Sequence, residues 1–233
     1  MKKQVLILGL GRFGISLATA LFNMGHDVMA IDDDEKRVQN VASQITHAIQ
    51  ADATDETVLK ELGVTSFDVA IVTIGEAIQN SVLSTILLKK LGVPYVIARA
   101  ESELHGSILE KIGADRVVYP EREMGTMLAH GLTLSDVDDY IPVAPNYGVS
   151  KLRALPNFVG KTLSELELGR KGKWGQAVLL IKRGKEVIVT PDMKEKVEEE
   201  DVLILSGSDD KLEQFLEEAK KSQKEQPNEN QSK

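Results

Sequence analysis

The chain has 233 residues, of which 42% are hydrophobic and 27% are charged, and its formal net charge is −8 at pH 7. The length and composition are those of a globular protein with a full hydrophobic core and room for two small domains. The acidic balance offers no broad basic face, so a nucleic-acid partner is not expected.

The sequence contains no cysteine, which excludes disulfides, thiolate catalysis and cysteine-based metal sites and fits a reducing compartment. No apolar run approaches the roughly 18–20 residues that a membrane-spanning helix needs. The basic and apolar start of the chain is soon followed by glycines, so it is predicted to be a strand and not an export signal. We therefore expect a cytoplasmic protein.

A glycine-rich turn lies between the first predicted strand and the first predicted helix. The apolar run at 5–8 ends at Gly9, and Gly11 and Gly14 complete the spacing G-x-G-x-x-G. Gly9 permits a tight turn, Gly11 lets a pyrophosphate approach the backbone, and Gly14 lets the helix pack close to the sheet. A second apolar run ends at Asp32, whose carboxylate can accept hydrogen bonds from ribose hydroxyls. Because an acid at that strand end has little packing value, the motif predicts a nucleotide site and not only a packing turn.

Arg12 and Phe13 lie inside the same turn, and both are included in the predicted site. A positive charge at a helix start is mildly unfavourable against the helix dipole, so Arg12 indicates a phosphate partner; the alternative is a solvated arginine. The acids at 32–34 offer no basic residue for a 2′-phosphate. The sequence therefore favours NAD or an adenosine nucleotide over NADP.

Predicted strands and helices alternate as far as residue 120, which is typical of a six-stranded, doubly wound parallel sheet. In such a sheet the carboxyl ends of the strands lie at one edge, beside the glycine turn. Thr73 and Gly75 follow the fourth strand, where their backbone can help to enclose a ligand. Arg99 ends the fifth strand and is either a second phosphate ligand or the partner of Glu101.

Asp52 follows the third strand at the same edge, and its loop has two compatible roles. The carboxylate of Asp52 can meet an adenine amino group. The loop can also simply cap the next helix through Thr54 or Asp55. Asp52 is therefore included among the candidate ligand residues.

A helix is predicted at 121–134, and its apolar residues exceed what one helix needs to cover a sheet that is already complete. It is either a crossover or dimer-forming helix or the plain last helix of the sheet. The first domain is assigned to residues 1–135. Residues 136–148 contain acids and two prolines, and they are predicted to be a linker without regular structure.

The second domain, residues 149–221, is predicted to contain a strand, a helix with a capping box formed by Thr162 and Glu165, a hairpin, another strand and a last helix. Residues 222–233 are polar throughout and are predicted to be disordered. The fold class is thus α/β, with a Rossmann-like doubly wound parallel sheet followed by a small α+β carboxyl-terminal lobe.

Six motifs carry a resemblance to one known family. They are GLGRFG at 9–14, ADATDE at 51–56, VTIGE at 72–76, KIGADRVVYPEREMG at 111–125, VGKTLSELEL at 159–168 and DVLILSG at 201–207. With Asp32, the first four resemble the RCK family, also called KTN, the cytosolic regulators of potassium channels and transporters. The last two are similar to the carboxyl-terminal lobe of that family. The chain looks most like the single-copy soluble gating subunits of Ktr-type potassium transporters.

The resemblance implies a regulatory subunit that is not an enzyme and that binds ATP or ADP, and in the family often NAD(H). It implies dimers that assemble into an octameric ring on a membrane-embedded potassium-translocating subunit, so the protein would be peripheral on the inner face of the cell membrane. Arg12 would reach a γ-phosphate, and Asp52 and Ala53 would flank the adenine. Glu121 would hold Mg²⁺ or Ca²⁺ beside the phosphates; the alternative is an acid placed favourably at a helix N-terminus.

The resemblance also implies a cyclic di-AMP site at a two-fold interface of the carboxyl-terminal lobe, formed by Arg170, Lys171, Ile181 and Pro191. The segment GRKGKWG at 169–175 departs from the family pattern. Its Trp174 can stack on an adenine or fill the core of the lobe, and the core is the favoured alternative.

Two competing functions use the same fold, an NAD-dependent dehydrogenase and an NADH-binding redox sensor. A dehydrogenase needs a proton donor facing the nicotinamide, usually from a second domain. All four histidines precede residue 140, and the second domain has neither histidine nor cysteine. A sensor that resembles a DNA-binding repressor is disfavoured by the acidic charge and by the lack of a helix-turn-helix pattern.

Overall fold

The structure is a computed structural model that describes residues 2–75, 77–133 and 137–224. It divides into two compact units after Arg122, and each is described by itself. The division falls within a helix, and the predicted domain boundary at residue 135 lies beyond the end of that helix. Among the helices of the described residues, none combines the length and apolar character of a membrane span.

The first unit contains a six-stranded parallel sheet with helices between the strands. Its strands are β1 Gln4–Leu8, β2 Asp27–Asp32, β3 His47–Gln50, β4 Val69–Val72, β5 Val96–Arg99 and β6 Arg116–Val118. The order across the sheet is β3-β2-β1-β4-β5-β6, which confirms the predicted doubly wound fold. β1 is central, and four of its five residues are buried because the sheet is covered on both faces.

The helices of this unit begin and end at residues with clear local causes. They are α1 Arg12–Asn23, α2 Glu35–Val41, α3 Glu56–Glu61, α4 Ile78–Leu91, α5 Glu103–Lys111 and α6 Pro120–Thr133. The side chains of Asp34, Asp55 and Ser102 accept hydrogen bonds from the first turns of α2, α3 and α5. Gly92, with φ of 88°, ends α4 in a left-handed conformation. These short connections place every strand-to-helix loop at one edge of the sheet.

The second unit contains a five-stranded antiparallel sheet covered by one long helix. Its strands are β7 Val137–Ala144, β8 Tyr147–Arg153, β9 Ala177–Arg183, β10 Glu186–Val189 and β11 Val202–Ser208, and its helix is α7 Asp209–Lys224. The order is β10-β9-β11-β8-β7. Phe215 of α7 stacks on Phe158 at 5.2 Å between ring centroids. The predicted α+β lobe is confirmed, and so is its β9–β10 hairpin.

The predicted linker at 136–148 is wrong as to structure, because β7 and the start of β8 occupy most of it. Val137 and Tyr140 are buried against the core. β7 is the edge strand of its sheet, and a proline is tolerated there because its missing N–H faces no partner strand. Pro142 accordingly pairs with Gly148 of β8 without ending the strand.

The predicted helix at Thr162 is also wrong, although its capping box forms. The Glu165 carboxylate accepts from the Thr162 N–H at 2.7 Å, and the Thr162 hydroxyl accepts from the Glu165 N–H at 3.1 Å. Glu167 and Gly169 then have φ of 54° and 89°, and two left-handed residues end the first turn. At the carboxyl end, residues 222–224 continue α7, and the predicted disorder of 225–233 lies outside the described residues.

Candidate nucleotide-binding site

A cavity of about 400 Å³ opens at the carboxyl edge of the parallel sheet, within the first unit. The strand order reverses between β1 and β4, and a doubly wound sheet binds its ligands at such a point. The predicted residues that line the cavity are Gly9, Gly11, Arg12, Phe13, Asp32, Asp52, Ala53, Thr73, Gly75, Arg99 and Glu121. The sheet therefore brings together all of the predicted nucleotide residues except Gly14, which lies beneath the turn.

The three glycines of the turn divide into two that build it and one that is open to a ligand. Gly9 has φ of 104°, and a Cβ on Gly14 would lie 2.1 Å from the Gly9 carbonyl oxygen. The Thr73 hydroxyl donates to that same oxygen at 2.6 Å and ties the turn to the end of β4. A Cβ on Gly11 would meet no atom within 4 Å. Gly11 is thus free to admit a phosphate group to the backbone.

Asp32 is a structural residue as well as a candidate ligand. Its side chain is buried, Oδ2 accepts from the Leu10 N–H, and Oδ1 accepts from the Asp34 N–H at 2.9 Å. The expectation that an acid here has little packing value is therefore wrong, because this carboxylate joins the glycine turn to the end of β2. An ionised carboxylate offers about four lone-pair sites. The two that remain can accept from ribose hydroxyls.

Arg12 is the first residue of α1, and its side chain is exposed at the cavity. Within residues 2–75, 77–133 and 137–224, Arg12 has no carboxylate within ion-pair distance, and the first turn of α1 contains no acid. The free N–H groups of that turn face the same region. A helix N-terminus and an unpaired guanidinium together form a strong site for an anion.

Arg99 pairs with Glu121, a partner that the sequence did not indicate. The Arg99 Nη2 lies 2.7 Å from the Glu121 Oε1, whereas its distance to the Glu101 Oε1 is 3.8 Å. Burial would raise the pKa of Glu121, but the hydrogen bond from Arg99 and the nearby Arg12 hold that pKa below its usual value. A Cβ on Gly75 would lie 2.0 Å from the Arg99 Nη1. Arg99 therefore lies directly over the turn that follows β4.

The described residues do not form a metal site from protein ligands alone. They contain no group of three or more His, Asp or Glu placed to hold an ion. Glu121 lines the cavity, and most of its side chain is exposed. A Mg²⁺ or Ca²⁺ ion at Glu121 would need phosphate oxygens and water as its other ligands, which is how Mg²⁺ is commonly bound beside nucleotides.

Asp52 is held by its own loop at the far end of the cavity. Its Oδ1 accepts from the Thr54 hydroxyl at 2.6 Å and from the Thr54 N–H at 2.7 Å, and these bonds lower its pKa. Asp55 caps α3. The loop thus serves the helix, and it also presents Asp52 and Ala53 to the cavity.

Sequence reasoning missed Arg37, which lines the same end of the cavity. Its Nη1 lies 3.6 Å from the Asp32 Oδ2. The statement that no basic residue is available near the ribose acid is therefore wrong. The first turn of α2 brings Arg37 back over the end of β2, and the Asp34 cap was the signal that could have located that turn.

The predicted cyclic di-AMP residues lie in different environments in the second unit. Arg170 and Lys171 are exposed and Pro191 is partly buried, whereas the side chain of Ile181 is completely buried in the core. The core alternative for Trp174 is confirmed, since its ring is buried and lies 5.7 Å from that of Phe215. In this arrangement the side chain of Ile181 shares no surface with the two basic residues.

Comparisons with known proteins agree with this two-unit organisation. The TrkA-N domain family matches residues 5–120, and the TrkA-C domain family matches residues 151–220. The crystal structure of the GsuK RCK domain superposes with a TM-score of 0.60 at 20% identity, over 91% of this chain and 46% of that chain. The present chain thus spans about half of that longer protein, and the likeness confirms the RCK fold.

Two relatives align over nearly their whole length. The chain is 44% identical over 208 residues to Ktr system potassium uptake protein C of Bacillus subtilis (strain 168), covering 89% of this chain and 93% of that protein. It is 35% identical over 210 residues to Ktr system potassium uptake protein A of Vibrio alginolyticus, covering 90% and 94%. Both are named as potassium uptake proteins and not as enzymes, which agrees with the prediction. The chain belongs to the family of Ktr system potassium uptake proteins, with TrkA-N and TrkA-C domains in the RCK fold.

Proposed function

We propose that the chain is a regulatory subunit that distinguishes ATP from ADP in the cavity of its first unit and gates a membrane potassium transporter. The observation that carries this proposal is Arg12, a guanidinium without an acidic partner among the described residues, at the phosphate end of the cavity. A third phosphate adds negative charge where this cation can meet it. ADP lacks that group, so the two nucleotides differ in one strong interaction.

The remaining residues of the cavity have roles that fit a nucleoside polyphosphate. Asp32 would accept from the ribose, while Asp52 and Ala53 would meet the adenine. The backbone at Thr73 and Gly75 would enclose the ligand, and Phe13, partly buried beside Arg12, would help to close the phosphate end. Arg99 is already engaged by Glu121, so it would contact phosphate only by loosening that pair. No hydrolysis is proposed.

The proposed assembly is a dimer that builds an octameric ring on a membrane-embedded, potassium-translocating subunit, with the protein peripheral on the inner face of the membrane. Met124, Leu128 and Leu132 of α6 support pairing, since they expose 51%, 58% and 83% of their surface. Apolar side chains repeated on one helix are typical of a contact surface. A ligand can shift the equilibrium between two ring shapes only if it binds them with different affinity. The coupling free energy in such allosteric systems is typically about 1–3 kcal/mol.

The second candidate ligand is NAD(H), and the second candidate function is a redox sensor. The open cavity would accommodate either adenosine ligand. One structure of the GsuK channel is bound to NAD, but this chain resembles it at only 20% identity, which supports only the fold. The unpaired Arg12 favours a triphosphate. Divalent cation binding at Glu121 and cyclic di-AMP binding by the second unit stay predictions.

The experiment is calorimetric titration of the purified chain with ATP, ADP and NADH, for the wild type, Arg12→Gln and Arg116→Gln. Arg116 is an exposed arginine at the amino end of β6 that does not line the cavity, so it controls for the loss of a charge. We expect Arg12→Gln to retain ADP binding and to lose the preference for ATP. In reconstituted potassium transport it should also lose the difference between ATP and ADP. Full ATP activation by this variant, or binding of NADH alone, would overturn the proposal.

A further inference from the structure

The end of the cavity opposite Arg12 has an unusual charge arrangement. Asp32, Asp33 and Asp52 line it, and Arg37 is the one cation among the described residues at that end. The adenosine half of a nucleotide would lie there, since the phosphates belong at the N-terminus of α1. Adenine and ribose carry no charge. A guanidinium at this end therefore requires an explanation other than phosphate binding.

The backbone of Arg37 is held in a defined position. Asp34 caps α2, and its Oδ1 accepts from the N–H groups of Lys36 at 2.8 Å and of Arg37 at 3.4 Å. The cap fixes the first turn of the helix, so the Arg37 side chain begins beside the carboxyl end of β2. Lys36, its neighbour in the same turn, is exposed and does not line the cavity.

The guanidinium of Arg37 lies near two carboxylates but beyond hydrogen-bond distance from both. Its Nη1 lies 3.6 Å from the Asp32 Oδ2, and its Nε lies 3.6 Å from the Asp34 Oδ2. Both distances allow ion pairing and exceed those of a hydrogen bond. The side chain is half exposed. The two carboxylates thus balance its charge, while half of the side-chain surface stays open to a ligand.

A planar, weakly hydrated guanidinium stacks favourably on an aromatic ring, which a nearby acid pair does not prevent. A 2′-phosphate would bring a further double negative charge beside Asp32, Asp33 and Asp52, which a single and already balanced arginine would not neutralise. The neutral base is the better partner for this side chain.

We propose that Arg37 recognises the adenosine half of the ligand by lying over the face of the adenine, with its charge balanced by Asp32 and Asp34. This inference rests on the proposed binding of a nucleotide in the cavity. It assigns different tasks to the two arginines. Arg12 distinguishes three phosphates from two, and Arg37 supports the base that every adenine nucleotide shares.

The test is calorimetric titration of ATP, ADP, AMP and NADP⁺ into the wild type, Arg37→Ala and the matched control Lys36→Ala. If Arg37 stacks on the adenine, Arg37→Ala should weaken the binding of ATP, ADP and AMP by the same factor, roughly three- to thirtyfold. The ratio of ATP to ADP affinity should stay unchanged. Lys36→Ala removes the same charge one residue away, but Lys36 does not line the cavity, so this variant should bind the nucleotides like the wild type.

Three results would overturn the inference alone. They are an unchanged ATP affinity in Arg37→Ala, a loss that grows with the number of phosphates, and a loss confined to NADP⁺. The second would mean that Arg37 acts only through long-range charge, and the third that it binds a 2′-phosphate. If the wild type binds neither ATP nor ADP, the proposed function itself fails, and the inference fails with it.

Discussion

Arg99 and Glu121 hold each other across the carboxyl edge of the parallel sheet, with Nη2 2.7 Å from Oε1 and Nε 3.4 Å from Oε2. The pair connects the last residue of β5 to the first turn of α6, the helix in which the first compact unit ends. Both side chains line the cavity. A phosphate that attracts Arg99 therefore competes with Glu121, and a cation that binds Glu121 competes with Arg99.

Removal of the Glu121 charge should change how nucleotide and divalent cation depend on each other. In Glu121→Gln with a chelator present, we expect ATP to bind more tightly by about three- to tenfold, because one negative charge is lost near the phosphates and Arg99 is released. Addition of Mg²⁺ should strengthen ATP binding by the wild type and have little effect on the variant. Calorimetric titration with and without Mg²⁺ measures both. An equal Mg²⁺ effect in the two proteins would contradict a cation at Glu121.

The same pair should contribute to stability in a pH-dependent way. The pKa of folded Glu121 lies below its ordinary value of 4.5, so the contribution is complete above about that pH and is lost as the pH falls through the lowered pKa. Glu121 is 64% exposed, and an exposed pair contributes about 0.2–1 kcal/mol. Urea unfolding of the wild type and Glu121→Gln should thus differ slightly at pH 7, and the difference should shrink as the pH falls below 4.5 and through the lowered pKa of Glu121. A difference that persists at acid pH would mean that the pair is not its source.

Alanine substitution at two glycines of the turn should affect different properties, stability at Gly14 and ATP affinity at Gly11. Gly14→Ala places a Cβ 2.1 Å from the Gly9 carbonyl oxygen and 2.7 Å from the Thr73 hydroxyl, so we expect a loss of about 2–4 kcal/mol in the free energy of unfolding. Gly11→Ala meets no atom within 4 Å and keeps a φ of −68°, so its stability should stay within about 0.5 kcal/mol. Its ATP affinity should nevertheless fall sharply. A stable Gly11→Ala protein with normal ATP binding would place the phosphates elsewhere.

His105 should make the first unit sensitive to mild acid. It is 1% exposed, its Nδ1 accepts from the Glu101 N–H, and its Nε2 has no partner in the part of the chain that the structure describes. Burial lowers its pKa, with Arg99 adding to the effect and Glu101 opposing it. The unfolded chain therefore takes up the proton first, and stability should fall as the pH drops below about 6.5, by at most about 1.4 kcal/mol per pH unit.

The matched variant for this prediction is His105→Asn, because an asparagine oxygen can accept from the Glu101 N–H but does not titrate. Its unfolding free energy should vary less than that of the wild type between pH 8 and pH 5.5. Parallel pH profiles of the two proteins would show that another group is responsible.

The sequence predicted the first unit well because its signals are local and mutually consistent. Buried parallel strands are nearly continuous apolar runs, and their alternation with helices brings all carboxyl ends to one edge. Gly9, Asp32 and Thr73 could thus be placed in one cavity before any contact was known. The pairing of Arg99 with Glu121 could not be foreseen, since it depends on how close two strand ends lie in space.

The misses have the same kind of cause. Arg37 was overlooked because its position depends on the register of α2 after a short loop, which the Asp34 cap sets. The linker prediction for β7 fails because a proline such as Pro142 would end a central strand but is tolerated at an edge. The Thr162 capping box is a true start signal, yet Glu167 reverses the backbone one turn later. A local start signal does not determine how far an element continues.

The Asp32 carboxylate accepts hydrogen bonds from the N–H groups of Leu10 and Asp34, so Asp32 serves the fold whether or not a ligand binds. This affects how the motif can be interpreted in related sequences. A copy that ceased to respond to any nucleotide would still need Asp32, Gly9 and Gly14 in order to fold. The glycine motif and the acid would therefore remain in its sequence after nucleotide binding was lost. A search for the motif alone would wrongly identify such a protein as a nucleotide sensor. The loss would appear first at Arg12 and Gly11, positions in the turn that folding does not protect.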